Sequence, residues 1–462
     1  MRDQATGIET SLAAPAAGPL VQHYGVMLDA LLALGLILST TSQLRVEGAA
    51  VGPGEICLAI WSFLMLTGEI GRIGPPITPV LGRLLTFWML FACAMCLGTM
   101  TGYAIGDIHD PVWFAHDVFA YSLMAVLSCL WAVEPGAGTR VRRIAWLIAI
   151  CGAISLVIQA CQGFGLIEFP GFDPWEWDRL RGLSDNSNQL ALSCAVIGLL
   201  SLHLAETSTE LRKKAAAIAC MIAAIVVGRL TKSDAFLLVI LAAGPIYVPL
   251  KFRTWLTSSQ RTMNLRSATA WIIVLMLPAV LAVAVPFAQD LVIAAETMTK
   301  EMTRGGGKKD TEDSTRLRFY IWKSAIGRGI ESGMLGLGPG PHLEIPPSLV
   351  EKSHDEPKSV ARPQKGLAPN FEAHNTVLDL FMQGGIPLLV SFGWIVGSAL
   401  TRSYGNHLDA ITTMLCGLII FSMFHFIFRH PIIWFAIVYS LVLVFEGDPA
   451  PNFRPTRLSH AR

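Results

Sequence analysis

Seven cations fall where short membrane-protein loops on the outer side are expected to be poor in positive charge: Arg181, Arg229, Lys232, Arg316, Arg318, Arg328 and Arg429. An arginine presents a planar fork of donors that fits a phosphate or carboxylate bidentately, whereas a lysine offers a point charge. Arg181 opens RGLSDNSNQLAL, where Asn186 and Asn188 precede an apolar run and add donors at a helix start. Lys232 lies in TKSD, and Arg318 and Trp322 share a helix face at i, i+4. His374 and Asn375 stand just before another apolar run, with Asp379 and Gln383 following at near-helical spacing. A histidine titrates near pH ~6.5 and suits general-base work at neutral pH, and ionisable groups inside a span are functional suspects. Arg429, His430 and Pro431 form a tight turn between two apolar runs. Several of these cations could converge on one anion.

Each residue also has a plainer reading. Arg181 alone is a snorkelling interfacial arginine before an Asn-capped helix. Lys232 with Asp234 makes a turn, Arg318 is an amphipathic-helix charge, Trp322 an interfacial anchor, His374 a structural cap residue, and the Arg429 turn a hydrated hairpin.

The elements that must position these residues are membrane spans. The 462 residues are 53% hydrophobic and 15% charged, and the mean hydropathy is +0.52. Apolar residues gather into runs of roughly 16 to 24, long enough to cross ~30 Å of hydrocarbon as helices. About twelve transmembrane helices are predicted, near 24–44, 50–69, 81–104, 112–133, 141–162, 188–205, 214–230, 235–250, 268–290, 376–400, 410–427 and 430–446. With the N-terminus inside, the inner loops hold Arg72, Arg83, Arg140, Arg142, Arg143, Arg212, Lys213, Lys214, Lys251, Arg253, Arg261, Arg266 and Arg402, and the tail holds Arg454 and Arg457. The positive-inside rule is met at each.

The chain divides into 1–180 (helices 1–5 and an outer loop), 181–290 (helices 6–9), 291–375 (one large outer loop), 376–447 (helices 10–12) and 448–462 (inner tail). Within the large loop, Asp313 or Ser314 caps a helix from about Thr315 to Ile330, and GLGPGP at Gly336–Pro341 must turn.

A net charge of +1 gives no reason to expect a nucleic-acid partner. All nine cysteines lie in or beside apolar runs, so Cys93 and Cys96 read as small span residues and no zinc site has its ligands in polar loops. The small-residue stretch Ser11–Gly18 precedes the first apolar run instead of following it, so span 1 is expected to be retained. No internal repeat is visible, and no DxD occurs.

In combination, RGLSDNSNQLAL, Thr231-Lys232-Ser233, STRLRFYIWKSAI, GLGPG and AHNTVLDLFMQGGIPLL resemble the O-antigen ligase and O-antigen polymerase superfamily of bacterial polysaccharide enzymes, over residues 181–400. The resemblance implies an all-α polytopic membrane protein with a glycosyltransferase-C-like fold and one large periplasmic loop, in the bacterial inner membrane. It implies an undecaprenyl-diphosphate-linked glycan as donor, an acceptor glycan or lipid A–core, no metal ion and no other cofactor. Carried over by position, the family's RG arginine falls on Arg181, its basic residue between hydroxylated residues on Lys232, its loop arginine on Arg318 and its histidine on His374. Many members have Ser-Arg where this chain has Thr231-Lys232, and lysine cannot fork onto phosphate.

The resulting expectation is a glycosyltransferase with His374, Arg318 and Arg181 as catalytic residues. Asn188, Lys232, Arg316, Trp322, Asn375 and Arg429 are expected to bind substrate. The competing class is a transporter or flippase of an anionic or lipid-linked solute, which should show paired halves and charges near the midplane. Here the suspect cations cluster at one interface.

Overall fold

The computed structural model describes residues 19–45, 51–70, 77–107, 110–133, 137–258, 308–344 and 371–445, which hold twelve α-helices. They are α1 (Pro19–Leu38), α2 (Pro53–Ile70), α3 (Pro79–Ala104), α4 (Pro111–Trp131), α5 (Ala137–Gly163), α6 (Ser187–Thr207), α7 (Leu211–Leu230) and α8 (Asp234–Ser258). After these come α9 (Lys308–Glu331), α10 (Thr376–Gly405), α11 (Asp409–Ser422) and α12 (Pro431–Phe445). Eleven coincide with predicted spans and α9 is the helix expected in the large loop. The span expected at 268–290, most of the loop at 291–375 and the tail at 448–462 lie outside the described residues. Six helices, α3, α4, α5, α6, α8 and α10, are long and apolar enough to cross a membrane, and α1, α2, α11 and α12 contain shorter apolar helices. This is a membrane protein of many helices.

Helix starts follow local chemistry. Thr78 accepts from the Leu81 amide ahead of Pro79, Asp110 from Val112 ahead of Pro111, and Asn186 from Gln189. The apolar character of α6 and α12 continues around most of their circumference, and both are buried among the other helices. Phe87, Trp88 and Phe91 of α3 meet Phe428 and Trp434, with the Phe91 and Phe428 rings stacked at 5.3 Å. The departure from an all-α architecture is small: β1 (Trp175–Glu176) pairs antiparallel with β2 (Arg179–Leu180), and Leu343 bridges Phe371.

Segments assigned to one side by their charges are tied to one another. On the inner set, Asp29 receives Arg140 at 2.6 Å and Arg143 at 2.7 Å, Lys251 meets Glu206, and Arg83 and Arg402 both lie over the Phe445 ring. On the opposite set, Gln43 donates to the Gly182 and Ser184 carbonyls, Lys232 meets Asp178, and Arg328 meets Asp107.

Two boundaries differ from expectation for identifiable reasons. The run 410–427 is not one span, because α11 stops at Ser422 and residues 423–430 form a turn. Asn375 Nδ2 donates to the Met423 carbonyl at 2.7 Å, Thr376 Oγ1 to that of His425 at 2.7 Å, and the Ile427 amide to Thr376 Oγ1 at 3.0 Å. These bonds stand in for the helical ladder.

The second is an interruption of α10 at Gly385, whose φ is 63° and ψ −159°. Pro387 has no N–H to give to the Gln383 carbonyl, and the Ile386 amide turns away to the Met334 carbonyl at 2.9 Å. The two stranded carbonyls are met by the glycine-rich turn: Leu337 donates to Met382 at 2.7 Å and Gly338 to Gln383 at 2.8 Å. Non-helical backbone at membrane depth persists only when protein satisfies it, so the loop turn and the span break require each other. A Cβ on Gly385 would lie 2.1 Å from the Met334 oxygen, and one on Gly98 of α3 only 2.4 Å from that of Gln383.

Gly385→Ala is therefore expected to cost several kcal/mol, of the order seen for strained, overpacked core sites, and to lower the thermal unfolding midpoint in detergent sharply. Gly393→Ala, with open space at its Cβ, should leave the midpoint unchanged or slightly raised.

Candidate functional site

His374 sits in the left-handed region (φ 50°), an uncommon place for a residue with a side chain. Asp379, one turn into α10 and buried, explains how it is held. Its Oδ1 accepts from the Ala373 amide at 2.7 Å and its Oδ2 from the Asn375 amide at 3.2 Å, so one carboxylate grips the chain on both sides of the histidine. Asn375 Oδ1 caps α10 by accepting from Val377 and Leu378. The imidazole of His374 is exposed and meets the Phe371 ring edge-on at 5.2 Å.

The loop helix α9 docks beside this cap. Leu317, Ile321 and Ala325 pack with Leu343, Phe371, Ala373 and Met382 in a small cluster separate from the main core. Trp322 lies partly buried against that cluster, which makes it part of the docking surface. The opposite end of α9 is tied down by Arg328, which bonds Asp107 at 2.5 Å, while His342 bridges Asp107 at 3.0 Å and the Gly338 carbonyl at 2.8 Å. Arg318, half-buried on α9, has no ion-pair or hydrogen-bond partner among the described residues. Arg316 belongs to the same helix.

These pieces converge on His425, in the turn that Asn375 and Thr376 fasten. Burial pushes its pKa down to about 3, reinforced in order by the charges of His374, Arg318, His430 and Arg179. The structure thus brings His374 and Arg318 into one electrostatic neighbourhood. From the hairpin it brings Arg179, across the strand turn from Glu176.

Arg181 is taken up within its own loop: Nε donates to the Asp173 carbonyl at 3.0 Å, and the guanidinium pairs with the exposed Asp173 carboxylate at 3.5 Å. Gly182 beside it (φ 57°) brings the backbone against Gln159, whose Oε1 accepts from the Leu183 amide at 2.9 Å. At the start of α6, Asn186 is the cap and Glu176 accepts from the Ser187 amide at 3.1 Å. Asn188 is half-buried one residue further on. Lys232 pairs with Asp178 at 2.5 Å, and its ammonium holds that carboxyl below the usual aspartate value. Both members are about half exposed.

Arg429 is engaged differently. Its guanidinium bonds Asp117 and Glu372 and covers the Phe426 ring at 4.7 Å. Burial opposes its charge, but Glu372 and Asp117 more than compensate and raise its pKa above the ordinary arginine value. It straps α4, the segment leading to His374 and the 423–430 turn together. In this arrangement it serves the frame of the site.

The sequence singled out Asp379 as a buried ionisable residue, and the structure supplies its partners. His425 and Arg179 were missed: the first fell within a run read as span, the second carried no motif. Among the described residues no group of three His, Cys, Asp or Glu side chains is arranged to hold a metal ion.

The described residues form a bundle of apolar helices, with Arg318, His374 and His425 brought together electrostatically beside a docked loop helix, the architecture of a membrane protein. The family model described as O-antigen ligase matches residues 194–393, and this match supports the O-antigen ligase and polymerase superfamily for the chain. Lys232, Arg318, His374 and the α10 break lie inside the matched stretch, whereas Arg181, His425 and Arg429 lie outside it. No curated protein matches the chain.

Removing one member of a buried charge pair costs about 3–5 kcal/mol because the other is left uncompensated. Arg429→Gln is accordingly expected to abolish most folded protein in membranes, and Arg429→Gln with Asp117→Asn to recover part of it, read by size-exclusion profile and thermal midpoint.

A separate expectation concerns acid. His425 and His430, the latter lowered to about 4 by burial, Arg429 and Arg45, are neutral in the folded protein. The unfolded chain takes up protons on them near pH ~6.5. The unfolded state thus binds more protons between roughly pH 6.5 and 4, and stability should fall with pH across that window. His430→Gln should flatten the decline in a thermal-midpoint series.

Proposed function

We propose that this protein transfers a glycan from an undecaprenyl-diphosphate donor to an acceptor hydroxyl, with inversion and without a metal ion, at the periplasmic face of the bacterial inner membrane. The observation that carries the reading is the convergence of Arg318 and His374 at one end of the bundle. It is joined by the family match across both residues.

The chemistry assigns each group a task. The acceptor oxygen attacks the anomeric carbon while His374 takes its proton. The anomeric C–O bond to the diphosphate breaks, and the diphosphate oxygen leaves with the electron pair. Arg318, which pairs with no carboxylate among the described residues, stabilises the developing charge. A guanidinium–phosphate pair contributes ~4 kcal/mol at an effective dielectric of ~20 before desolvation.

Arg181 and Lys232 bind the donor by exchanging partners. Asp173 and Asp178 are exposed, and exposed pairs are worth about 0–1 kcal/mol, so a diphosphate displaces them. Arg179 and Asn188 lie on the same hairpin and helix start, Arg316 on the same loop helix, and each adds a donor. Asn375 and Trp322 hold the histidine cap and the loop helix in register, and Arg429 holds the frame beneath. Inversion follows from a single displacement. The acceptor is either another lipid-linked repeat unit or lipid A–core.

Loss of a general base costs about 10²–10⁴ in rate, and loss of one charge-stabilising donor about 10²–10³. A deletion strain carrying His374→Ala or Arg318→Ala should lose its surface glycan, while Arg318→Lys should retain part. Polymer held on the lipid carrier marks a ligase, and single repeat units on the carrier mark a polymerase. Purified protein should keep its activity in EDTA. Normal glycan in both alanine strains would overturn the assignment.

A further inference from the structure

The turn between α11 and α12 carries an imidazole for which the donor chemistry has no use. His425 lies on the Phe421 ring at 5.1 Å, and among the described residues neither of its ring nitrogens hydrogen-bonds a protein group. It is half-buried, and its nitrogens are not among the side-chain atoms sealed from solvent without a partner. Both nitrogens are thus open at the edge of the site, where a ligand group can take the place of water as their partner.

Its placement is fixed with unusual redundancy. The carbonyls of Met423 and His425 and the amide of Ile427 are all bonded by the side chains of Asn375 and Thr376, the two residues that follow His374. Any movement of the His374 cap carries His425 with it. The two histidines are therefore parts of one rigid unit at the head of α10.

The charges around the ring identify the kind of partner. Arg318 and Arg179, the permanent cations among the groups whose charges act on the ring, disfavour a further positive charge on it, as does its burial. A neutral imidazole has one N–H donor and one acceptor nitrogen. That pairing suits a hydroxyl, which also gives and accepts, and suits a diphosphate poorly because phosphate oxygens only accept. The arginines already match the phosphate charge.

We infer that His425 is an acceptor-binding residue: its ring hydrogen-bonds a sugar hydroxyl of the incoming acceptor and aligns that sugar beside His374. The inference rests on the glycosyl-transfer reading above. It adds the element from which the acceptor is held, the turn between α11 and α12. It also explains why α11 stops short: a continuous helix to residue 427 would withdraw the Met423 and His425 carbonyls from Asn375 and Thr376 and detach the ring from the cap.

The test uses full-length protein in nanodiscs. The donor is lipid-linked glycan extracted from a strain deleted for this gene, and the acceptors offered are rough lipopolysaccharide and, separately, the same lipid-linked glycan. His425→Phe removes both hydrogen-bonding atoms with the ring shape kept, and His425→Gln restores one donor and one acceptor. Losing a neutral hydrogen bond of this kind corresponds to about a tenfold change. His425→Phe should raise the KM for the acceptor about tenfold or more while the KM for the donor stays within twofold, and His425→Gln should recover much of the loss.

A rise in donor KM in place of acceptor KM would overturn the inference and make His425 a diphosphate ligand. Unchanged kinetics in His425→Phe would overturn it as well, with the enzyme reading intact. If the unsubstituted protein consumes no donor with either acceptor, the reading of function itself falls and this inference with it. Each variant is compared at equal thermal midpoint. Where His425→Phe does not fold, His425→Leu, which also lacks both hydrogen-bonding atoms, takes its place, and an acceptor KM like that of the unsubstituted protein then overturns the inference.

Discussion

The molecule depends on how a broken transmembrane helix satisfies its backbone. At Gly385 and Pro387 the ladder of α10 leaves two carbonyl acceptors without helical donors and redirects one amide donor, and Leu337, Gly338 and Met334 make up the difference. Hydrocarbon offers no water to do this, so the glycine-rich turn of the extramembrane region is as much a part of α10 as its own residues are. Glycine is needed on both sides because the backbones meet directly. Gly338 (φ 99°) and Gly385 (φ 63°) adopt conformations that a side chain resists.

That junction sets the height and orientation of everything above it. With Gly336 to Gly340 locked against α10, α9 is brought back over the head of the same helix, and its apolar stripe packs on Phe371, Ala373 and Met382. Arg318 and His374, 56 positions apart in sequence by their numbers, thereby come to act on the same imidazole, that of His425. Asp379 then fixes the histidine backbone, and Asn375 and Thr376 reach across to the last turn. One segment, 373–387, carries the cap, the carboxylate that holds it, the cross-link to His425 and the seat for the glycine turn.

The cations separate by the burial of their partners. Arg429 faces Asp117, which is fully buried, and Glu372, so its charge is committed to the fold. Lys232 and Arg181 face exposed aspartates in weak, exchangeable pairs. Arg318 faces none. Arginine thus stands in a buried pair, in an exposed pair and, among the described residues, in no pair, and the difference lies in the dielectric around each and not in its spacing along the chain.

The sequence by itself determined the helices. Apolar runs of membrane length, with caps such as Thr78-Pro79, Asp110-Pro111 and Asn186, are local signals, and helix formation at these sites depends on neighbours three or four residues away. It also marked His374, Arg318, Lys232 and the GLGPG turn, since their residue types and order are visible without coordinates. It could not show that the run 410–427 breaks at Ser422, because the bonds that break it come from Asn375 and Thr376, nearly fifty residues earlier in the chain. Nor could it separate Arg429 from Arg318, or bring Arg179 and His425 to the site. Those outcomes rest on which buried carboxylate or carbonyl lies opposite. Long-range packing of this kind, anchored by the need to satisfy every polar group inside a membrane, was decided only by the tertiary structure.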